Sequence, residues 1–442
     1  MSRSVVITGL GPITAFGVGM DPLWEALVEG KSAIAPLARF DASGFDCSFG
    51  AELSNEAYSV KKIVPKSYRK AVKVMCRDIE LALGAALEAV SNANLVTKGT
   101  DPDVEPTIAP GRFGCHIGAG LIAADVDELT MALVSSKAEE GGVDLNQWGD
   151  KGMQTLTPLW LLKYLPNMLA CHVTIVHDCR GPSNTITCCE TSGALSLGES
   201  MRVIERDDAD ACLTGGTEFK LNPMAMYRQQ CAQRLAMTNG DEDPTSVVRP
   251  YDAHAKGTVL GEGGGLLILE AEDHAKSRGA TIFAKLSGYA ASQSFCEDTV
   301  GIGITDNGVG IADAIHAALT QSNISPDAIS AIVPFGSSIP SVDQAEVSAL
   351  HSIFGDRASS IPIVTTIPNV GNCNAGNGGI SLCVGAKCIA QQKLPARLNT
   401  QGVEMLDANA CDARDADLNH ILVLSASQGG QNTAVILSRM DS

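Results

Sequence analysis

The sequence predicts an α/β protein in which helices cover the faces of buried β-sheets. Short apolar strands and amphipathic helices alternate along all 442 residues, which is the usual pattern of an α/β fold with covered sheets. Both halves of the chain also show the same order of predicted elements: a strand that ends in glycine, a helix and a hydrophobic strand. We therefore expect two similar halves, at residues 1–270 and 271–442.

The elements of the first half follow from their apolar spacing and their glycines. A strand is predicted at 5–8, and an amphipathic helix at 23–29 is ended by Gly30. A longer Ala- and Leu-rich helix is expected at 78–90, and a strand at 113–118. The stretch 93–112 between them contains three prolines and few apolar residues, so it is predicted to be an exposed loop. A helix at 193–205 and a strand at 211–214 complete this half.

The second half gives fewer but similar elements. Apolar periodicity predicts a helix at 311–319, a strand at 329–335 and a helix at 344–354.

Composition excludes several classes of protein. Hydrophobic residues make up 45% of the chain, which is enough for a large core, and the net charge of −18 disfavours nucleic acids and anionic membranes as partners. Apolar runs stay short of the roughly 18 residues that a membrane helix needs. The first residues lead directly into a strand rather than into a signal peptide. We expect a cytoplasmic protein without a membrane span.

The cysteines and histidines predict neither disulfides nor a metal site. The fourteen cysteines are scattered, many of them inside apolar runs, and none has CxxC spacing. The eight histidines form no HxxxH pair. Reduced, mostly buried thiols are therefore expected, with no metal and no cofactor.

One segment is basic in spite of the acidic whole. No acidic residue occurs between Glu56 and Asp78, and the cations there are candidates for docking an acidic partner. A solvated helix face is the alternative. The seven candidate cations are Lys61, Lys62, Lys66, Arg69, Lys70, Lys73 and Arg77.

An ordered series of motifs resembles the β-ketoacyl-acyl carrier protein synthase (ketosynthase) family of the thiolase fold. The series runs through the opening strand at 5–14, Gly-Gly-Thr-Glu at 215–218, Arg-Pro-Tyr-Asp at 249–252, the glycine-rich run 257–266, Gly-Ser-Ser-Ile-Pro at 336–340 and Gln-Gly-Gly-Gln-Asn at 428–432. It spans nearly the whole chain. The resemblance implies a thiolase-like, five-layered αβαβα sandwich built from two similar halves.

The family's chemistry depends on four groups, and this sequence departs at each of them. In ketosynthases a cysteine thiolate accepts the acyl chain, two histidines stabilise the enolate and the oxyanion, and a lysine supports the histidines. Without gaps in the nucleophile turn, the cysteine position falls on Glu190. The histidine positions hold Phe335 and Asn372, and the lysine position holds Ile367. Gln428 replaces the gating phenylalanine of the C-terminal glycine loop.

The scaffold residues of the family remain. Glu346 matches a carboxylate that ketosynthases keep around the catalytic centre, and the glycines of the turns are present. Random decay would also damage turns and packed helices, because they tolerate few replacements.

Other interpretations of the turn stay open. A local bulge could bring Cys189 to the nucleophile position, although it would lack a base. Glu190 could act as an acid or base of a new reaction, since an apolar pocket raises a carboxyl pKa. It could instead seal the former site by a hydrogen bond or ion pair, with Asn372 as one candidate partner. His116, His172 and His177 precede the turn. Their apolar surroundings predict structural rather than catalytic roles.

The resemblance also implies partners. The apolar stretch 158–169 corresponds to a dimer contact that reaches the partner's acyl pocket, with Leu159 or Trp160 as candidates. Within the family, the whole pattern is similar to a chain-length factor, the silent subunit of polyketide and polyene systems. We therefore expect a catalytically silent subunit that pairs with an active ketosynthase, shapes the acyl tunnel and meets an acyl carrier protein. A different reaction at Glu190, or a homodimeric acyl-binding or carrier-binding scaffold, are the alternatives.

Overall fold

The protein was analysed as a computed structural model that describes residues 3–238, 241–294, 307–401, 406–407 and 412–440. The strands are β1 Val5–Thr14, β2 Gly17–Val18, β3 Ala35–Pro36, β4 Phe49–Gly50, β5 Phe113–Gly118, β6 Ser183–Ile186, β7 Ala211–Phe219, β8 Glu262–Ala271, β9 Ala284–Gln293, β10 Ala331–Val333, β11 Lys393–Leu394, β12 Arg414–Asp415, β13 His420–Ala426 and β14 Gln431–Ser438.

Thirteen α-helices occur in the described residues. They are α1 Met20–Val28, α2 Val60–Ile63, α3 Arg77–Asn92, α4 Val126–Ser135, α5 Leu145–Asp150, α6 Met168–His177, α7 Ser192–Glu205, α8 Pro223–Cys231, α9 Glu272–Ser277, α10 Val309–Ser322, α11 Pro340–Phe354, α12 Ile367–Val370 and α13 Asn377–Gln391.

The long strands form one mixed sheet in the order β10-β13-β14-β9-β1-β8-β7-β5-β6, with β2 paired to β1. Only two residue pairs, Val6 with Lys285 and Ile7 with Ala284, join β1 to β9. The β1-β8-β7-β5-β6 part and the β10-β13-β14-β9 part are thus two sheet halves with a short junction. The division after residue 270 falls at the end of β8.

Five layers confirm the thiolase-like architecture. Helices α3 and α6 cover the outer face of the first sheet half, and α10 and α11 cover that of the second. Helices α7 and α13 pack against each other between the two halves, in a core of aliphatic and cysteine side chains. Burial on both faces explains why the central strands read as continuous apolar runs rather than as alternating ones.

Two strand predictions differ from the structure for local reasons. Strand β7 continues past Gly215 and Gly216 to Phe219, because both glycines stay in the ladder with β8. Strand β10 is shorter than predicted and ends at Val333. Beyond it, the backbone N–H groups of Phe335 and Gly336 donate to Glu346 rather than to a neighbouring strand.

Two further expectations concern membranes and thiols. No helix in the described ranges is both long enough and apolar enough to cross a bilayer. The twelve cysteines in those ranges are free thiols, and seven of them are buried.

Candidate functional site

The turn that carries Glu190 leads directly into α7. A 3₁₀ turn, Cys189–Thr191, precedes the helix, and the Cys188 N–H donates to Ser192 Oγ at 2.8 Å. Cys189 has a φ of +48°, in the left-handed region that a cysteine seldom adopts. Such strained positions cluster at functional sites. The residue directly before Glu190 is therefore held in a strained backbone conformation.

The carboxylate of Glu190 is fully engaged by other parts of the chain. Oε1 accepts a hydrogen bond from Arg234 Nη2, and both side chains are only 1% exposed. Oε2 accepts from the backbone N–H of Gln428 at 3.1 Å. One carboxylate thus ties together the turn before α7, the loop after α8 and the C-terminal glycine loop.

These contacts occupy the Glu190 carboxylate and the Gln428 N–H, which would have to be free to take part in catalysis. A backbone N–H that points into an active site can stabilise a developing oxyanion, but the Gln428 N–H is already donating to Glu190. Arg234 compensates the Glu190 charge inside the protein, where an unpaired carboxylate would be costly. Both oxygens of Glu190 are therefore occupied by groups of this chain. The bonds described for Glu190 do not include Asn372, so that suggested partner was wrong.

Phe335 and Ile367 are part of the apolar core. Both are buried, at 4% and 1% exposure, in the same hydrophobic cluster. Neither side chain has a proton to give or accept. Phe335 and Ile367 therefore contribute packing to this core.

The loop that holds Phe335 is fixed by two buried carboxylates. Glu346 accepts from the Phe335 N–H at 2.8 Å, the Gly336 N–H at 3.0 Å and the Tyr251 hydroxyl at 2.6 Å. Asp343 accepts from the backbone N–H groups of Ser337, Ser338 and Tyr251. Asp343 and Glu346 therefore fix the backbone of this loop.

Asn372 acts as a turn residue. Its Oδ1 accepts from the Asn374 N–H at 2.9 Å and from Asn377 Nδ2 at 2.6 Å. Its backbone N–H donates to Val259 O at 2.7 Å. Asn372 therefore holds the 3₁₀ turn Asn374–Gly376 that leads into α13.

A second ionic cluster lies beside the sealed turn. Lys220 is buried, pairs with Glu218, and donates to Leu121 O at 2.9 Å. The Ala375 N–H donates to Glu218 Oε2 at 2.9 Å, and a Cβ on Gly120 would lie 1.6 Å from Glu218 Oε1. Residue 120 can therefore only be glycine while Glu218 keeps this position.

Asp78 completes that cluster from the start of α3. Its Oδ1 accepts the Phe219 N–H at 3.0 Å. Burial, together with the nearby charge of Glu218, raises the pKa of Asp78 to about 7. Burial lowers the pKa of Lys220 while Glu218 raises it, and the net direction is upward. The cluster therefore carries a titratable proton near neutral pH.

Cys189 lines a cavity of about 210 Å³ with Lys220, Gln428 and Asn374. Cys189 is exposed on the cavity side, and desolvation, followed by the charge of Glu190, raises the pKa of its thiol. The thiolate is the nucleophilic form of cysteine. At neutral pH Cys189 is therefore a thiol, which argues against its serving as the nucleophile.

The three histidines before the turn are buried next to hydroxyl groups. His116 Nδ1 lies 3.0 Å from Ser200 Oγ, His177 Nδ1 lies 2.9 Å from Thr97 Oγ1, and His172 Nδ1 lies 2.6 Å from the Tyr68 hydroxyl. Burial lowers the pKa of each, to about 4 for His116 and His177. They are therefore neutral at pH 7 and held next to hydroxyl groups.

Six of the seven predicted docking cations are exposed along 61–73, where α2 is followed by a 3₁₀ helix, Lys66–Val74. Arg77 differs from them. Its guanidinium donates to Glu262 Oε2 at 2.7 Å and to Glu80, with 10% of the side chain exposed. Including Arg77 among the docking residues was therefore wrong, because its charge is already used inside the protein.

The apolar stretch 158–169 is partly open. Leu159 is 55% exposed, whereas Trp160 packs against Tyr164 with ring centroids 5.2 Å apart. Of the two candidates, Leu159 is the more accessible to a second chain.

Comparison with known proteins decides the family. The family described as "Beta-ketoacyl synthase, N-terminal domain" matches residues 2–275, and "Beta-ketoacyl synthase, C-terminal domain" matches residues 283–401. The chain belongs to the beta-ketoacyl synthase family. It is 30% identical to "3-oxoacyl-[acyl-carrier-protein] synthase 2" of Synechocystis sp., over 99% of this chain and 98% of that protein. The protein of the same name from Staphylococcus aureus (strain COL) is 28% identical over 100% and 99%.

Solved structures of the beta-ketoacyl synthase family have the same fold. A beta-ketoacyl synthase from Burkholderia phymatum superposes with a TM-score of 0.83 at 24% identity, covering both chains completely. A chain from "AntDE:AntF (apo): type II PKS acyl-carrier protein in complex with its ketosynthase bound to the hexaketide" gives 0.80 at 25%, again over both full chains. A chain of the ishigamide ketosynthase/chain length factor gives 0.78 at 20%, also over both full chains.

Sequence reasoning missed Arg234, Lys220 and Asp78. Arg234 follows Glu190 by 44 residues, and no spacing links two positions so far apart. The available signal was chemical, because a glutamate in an apolar turn needs a cation. The sequence offered several arginines and no means of choosing among them.

Proposed function

We propose that this chain is a catalytically silent subunit of a ketosynthase pair, of the chain-length factor type. It pairs with an active ketosynthase in the assembly of a polyketide, polyene or specialised fatty acid and shapes the tunnel in which the acyl chain grows. A cytoplasmic location belongs to the same proposal.

The observation that carries the proposal is the sealed carboxylate of Glu190. Condensation needs a thiolate, two imidazoles and free oxyanion donors. At these positions the chain has a carboxylate paired with Arg234, a core phenylalanine and a turn asparagine, and the Gln428 N–H is occupied. The curated relatives are named as synthases, so the proposal rests on these departures and on the intact fold around them.

The partner assignments follow from the exposed surfaces. The exposed side chain of Leu159 supports a contact with a second ketosynthase-fold chain. The cations at 61–73 support docking of an acyl carrier protein, which is acidic, through long-range attraction. They are Lys61, Lys62, Lys66, Arg69, Lys70 and Lys73.

Co-expression tests the pairing. We expect a stable one-to-one dimer with an active ketosynthase of the same organism, and a change in product length when this subunit is omitted. Isolation of the chain only as a homodimer, with no effect on product length, would contradict the proposal and favour a homodimeric scaffold.

The second candidate is an enzyme that uses Glu190 as an acid or base. The burial of this carboxylate next to the 210 Å³ cavity favours it. Replacing Glu190 by Gln separates the two, since an acid or base catalyst would lose about 100-fold or more in turnover. A silent subunit would keep the turnover of its partner.

A further inference from the structure

A small cavity lies at the start of β5, between loop 97–110 and the end of α6. Its volume is about 220 Å³, far more than the roughly 10–15 Å³ that a single water needs. Phe113, the first residue of β5, is part of its lining. At the other end of β5, Gly118 approaches Ser192 beside the Glu190 turn. The cavity is therefore separate from the candidate active site.

The loop over this cavity is a fixed part of the fold. The Val96 N–H donates to Thr107 Oγ1 at 2.8 Å, and the Thr107 N–H donates to Val96 O at 3.0 Å. A Cβ on Gly99 would lie 2.9 Å from His177 Nδ1. A larger residue at position 99 would therefore displace either the turn or the imidazole. The cavity wall is thus built by close contacts rather than by a loose loop.

Proline rings and apolar side chains form most of the lining. Proline rings pack against flat aromatic surfaces, as they do when proline-rich segments bind aromatic grooves. The lining therefore favours an aromatic ring over a charged or strongly hydrated group. The proline and apolar residues of the lining are Pro102, Val104, Pro106, Ile108, Pro110 and Phe113.

His177 is a polar residue of the lining whose hydrogen bonds are incomplete. It is 2% exposed, and its Nδ1 lies 2.9 Å from Thr97 Oγ1. Its Nε2 is buried and has no hydrogen-bond partner among the described residues. A buried polar atom without a partner is uncommon and calls for an explanation. A ligand in the cavity that carries a hydrogen-bonding group would supply the partner.

The imidazole decides which group suits it. Burial lowers the pKa of His177 to about 4, so the ring is neutral at pH 7. Nε2 then donates or accepts, depending on which ring nitrogen holds the proton. A hydroxyl group can do both. It therefore fits Nε2 in either state of the ring.

The charges around the cavity disfavour an anionic ligand. Loop 97–110 carries three carboxylates, Asp101, Asp103 and Glu105, and a single cation, Lys98. The neutral imidazole of His177 offers no charge for a ligand carboxylate, and burying an unpaired charge is costly. The occupant should therefore be uncharged.

We propose that this cavity binds a neutral phenol with a single ring. Its hydroxyl forms a hydrogen bond with His177 Nε2, and its ring packs against the prolines of loop 97–110. This binding site goes beyond the ketosynthase-related function. It does not depend on whether Glu190 is silent or catalytic.

Titration of the full chain with 4-methylphenol tests the site. Toluene, which lacks the hydroxyl, and benzoate, which carries a charge, are the comparison ligands. We expect 4-methylphenol to bind at least about tenfold more tightly than either, because toluene leaves Nε2 without a partner. In ¹⁵N spectra of histidine-labelled protein, the Nε2 resonance of His177 should shift with 4-methylphenol and not with toluene. The spectrum of His177→Phe identifies that resonance.

Two exposed valines provide a variant and a matched control. Val104 is 51% exposed at the cavity, and Val309 is 59% exposed at the start of α10. Val104→Asp should weaken binding of 4-methylphenol by about tenfold or more, because the ring would then lie beside an added charge. Val309→Asp makes the same change elsewhere and should leave binding unchanged. Exposed positions of this kind tolerate substitution without loss of the fold.

Several results would overturn the proposal. These are an absence of 4-methylphenol binding, equal affinities for 4-methylphenol and toluene, tighter binding of benzoate, or equal weakening by the two aspartate variants. An Nε2 resonance that stays in place at saturating 4-methylphenol would also overturn it, and would leave water as the partner of His177.

Discussion

Arg234 Nη2 donates a hydrogen bond to Glu190 Oε1, and both side chains are buried to 1% exposure. This contact places a compensated charge at the position that the sequence resemblance assigns to the family's nucleophile. The second oxygen of Glu190 accepts the Gln428 N–H. A single side chain therefore binds both Arg234 and the backbone of the C-terminal glycine loop.

Removing one partner of this pair should destabilise the protein strongly. Arg234→Met leaves the Glu190 carboxylate buried without a cation, for which we expect a loss of about 3–5 kcal/mol in the free energy of unfolding. Adding Glu190→Gln should recover much of that loss, because the uncompensated charge is then absent. Urea denaturation of the single and double variants measures the coupling.

Arg206→Met is the control for this cycle. Arg206 pairs with Asp208 on the surface, where both side chains are more than half exposed. Such pairs contribute about 1 kcal/mol or less. Equal losses for Arg206→Met and Arg234→Met would contradict the importance of the buried pair.

Restoring the thiol alone should not restore condensation. In Glu190→Cys, Arg234 favours a reactive thiolate, so we expect the new cysteine to be alkylated and to accept an acyl group. No carbon–carbon bond should form, because Phe335, Asn372 and Ile367 supply neither an acid nor a base. Mass spectrometry of the acylated protein and of its products, after addition of malonyl-carrier protein, decides this. Product formation by the single variant would show that the other three positions matter little.

Much of the fold could be predicted from the sequence. Glycines and apolar periodicity define elements over a few residues, which is why strand β5 was predicted at its observed bounds. The order of motifs predicts that Glu190, Phe335, Ile367 and Asn372 stand at the family's catalytic positions, and this stays a prediction. Their partners come from distant segments, and no local pattern connects Glu190 to Arg234 or Lys220 to Asp78.

Arg77 shows the opposite failure. In the sequence it is one of seven cations in a segment that contains no acidic residue. In the fold it begins α3 and faces Glu262, which is 185 residues away. Charge patterning predicted the character of the surface but not which cation the core would use.

Stability should depend on the protonation of Asp78. Its pKa is raised to about 7 in the folded protein, against about 3.9 in an unfolded chain. Below about pH 4 both states hold the proton; between about 4 and 7 only the folded state does, so stability falls as pH rises through this window. Asp78→Asn should remove this contribution, which is at most about 1.4 kcal/mol per pH unit.

Unfolding measured from about pH 4 to about pH 8 checks this expectation. Asp356→Asn, at an exposed position, is the control for general charge effects. A difference between wild type and Asp78→Asn that stays constant with pH would contradict the assignment of the proton to Asp78.

The exposed basic segment should bind the carrier protein. Lys66→Glu, Arg69→Glu and Lys70→Glu together should weaken binding of an acyl carrier protein by about tenfold or more at low salt, since they reverse the attraction. Lys31→Glu, Lys98→Glu and Lys276→Glu are the matched control on other exposed surfaces. Calorimetric titration with the carrier protein measures the affinity of each set of variants. Equal weakening by both sets would mean that net charge, and not the basic segment itself, causes the effect.

The most direct test of the silent-subunit account uses the mixed dimer of this chain with an active ketosynthase. The partner's nucleophilic cysteine is replaced by alanine, and the release of carbon dioxide and of condensed product from malonyl-carrier protein is measured. The account predicts that both activities fall to background, and that Glu190→Gln changes nothing further. Residual decarboxylation or condensation that disappears on Glu190→Gln would contradict it and would make Glu190 a catalytic residue.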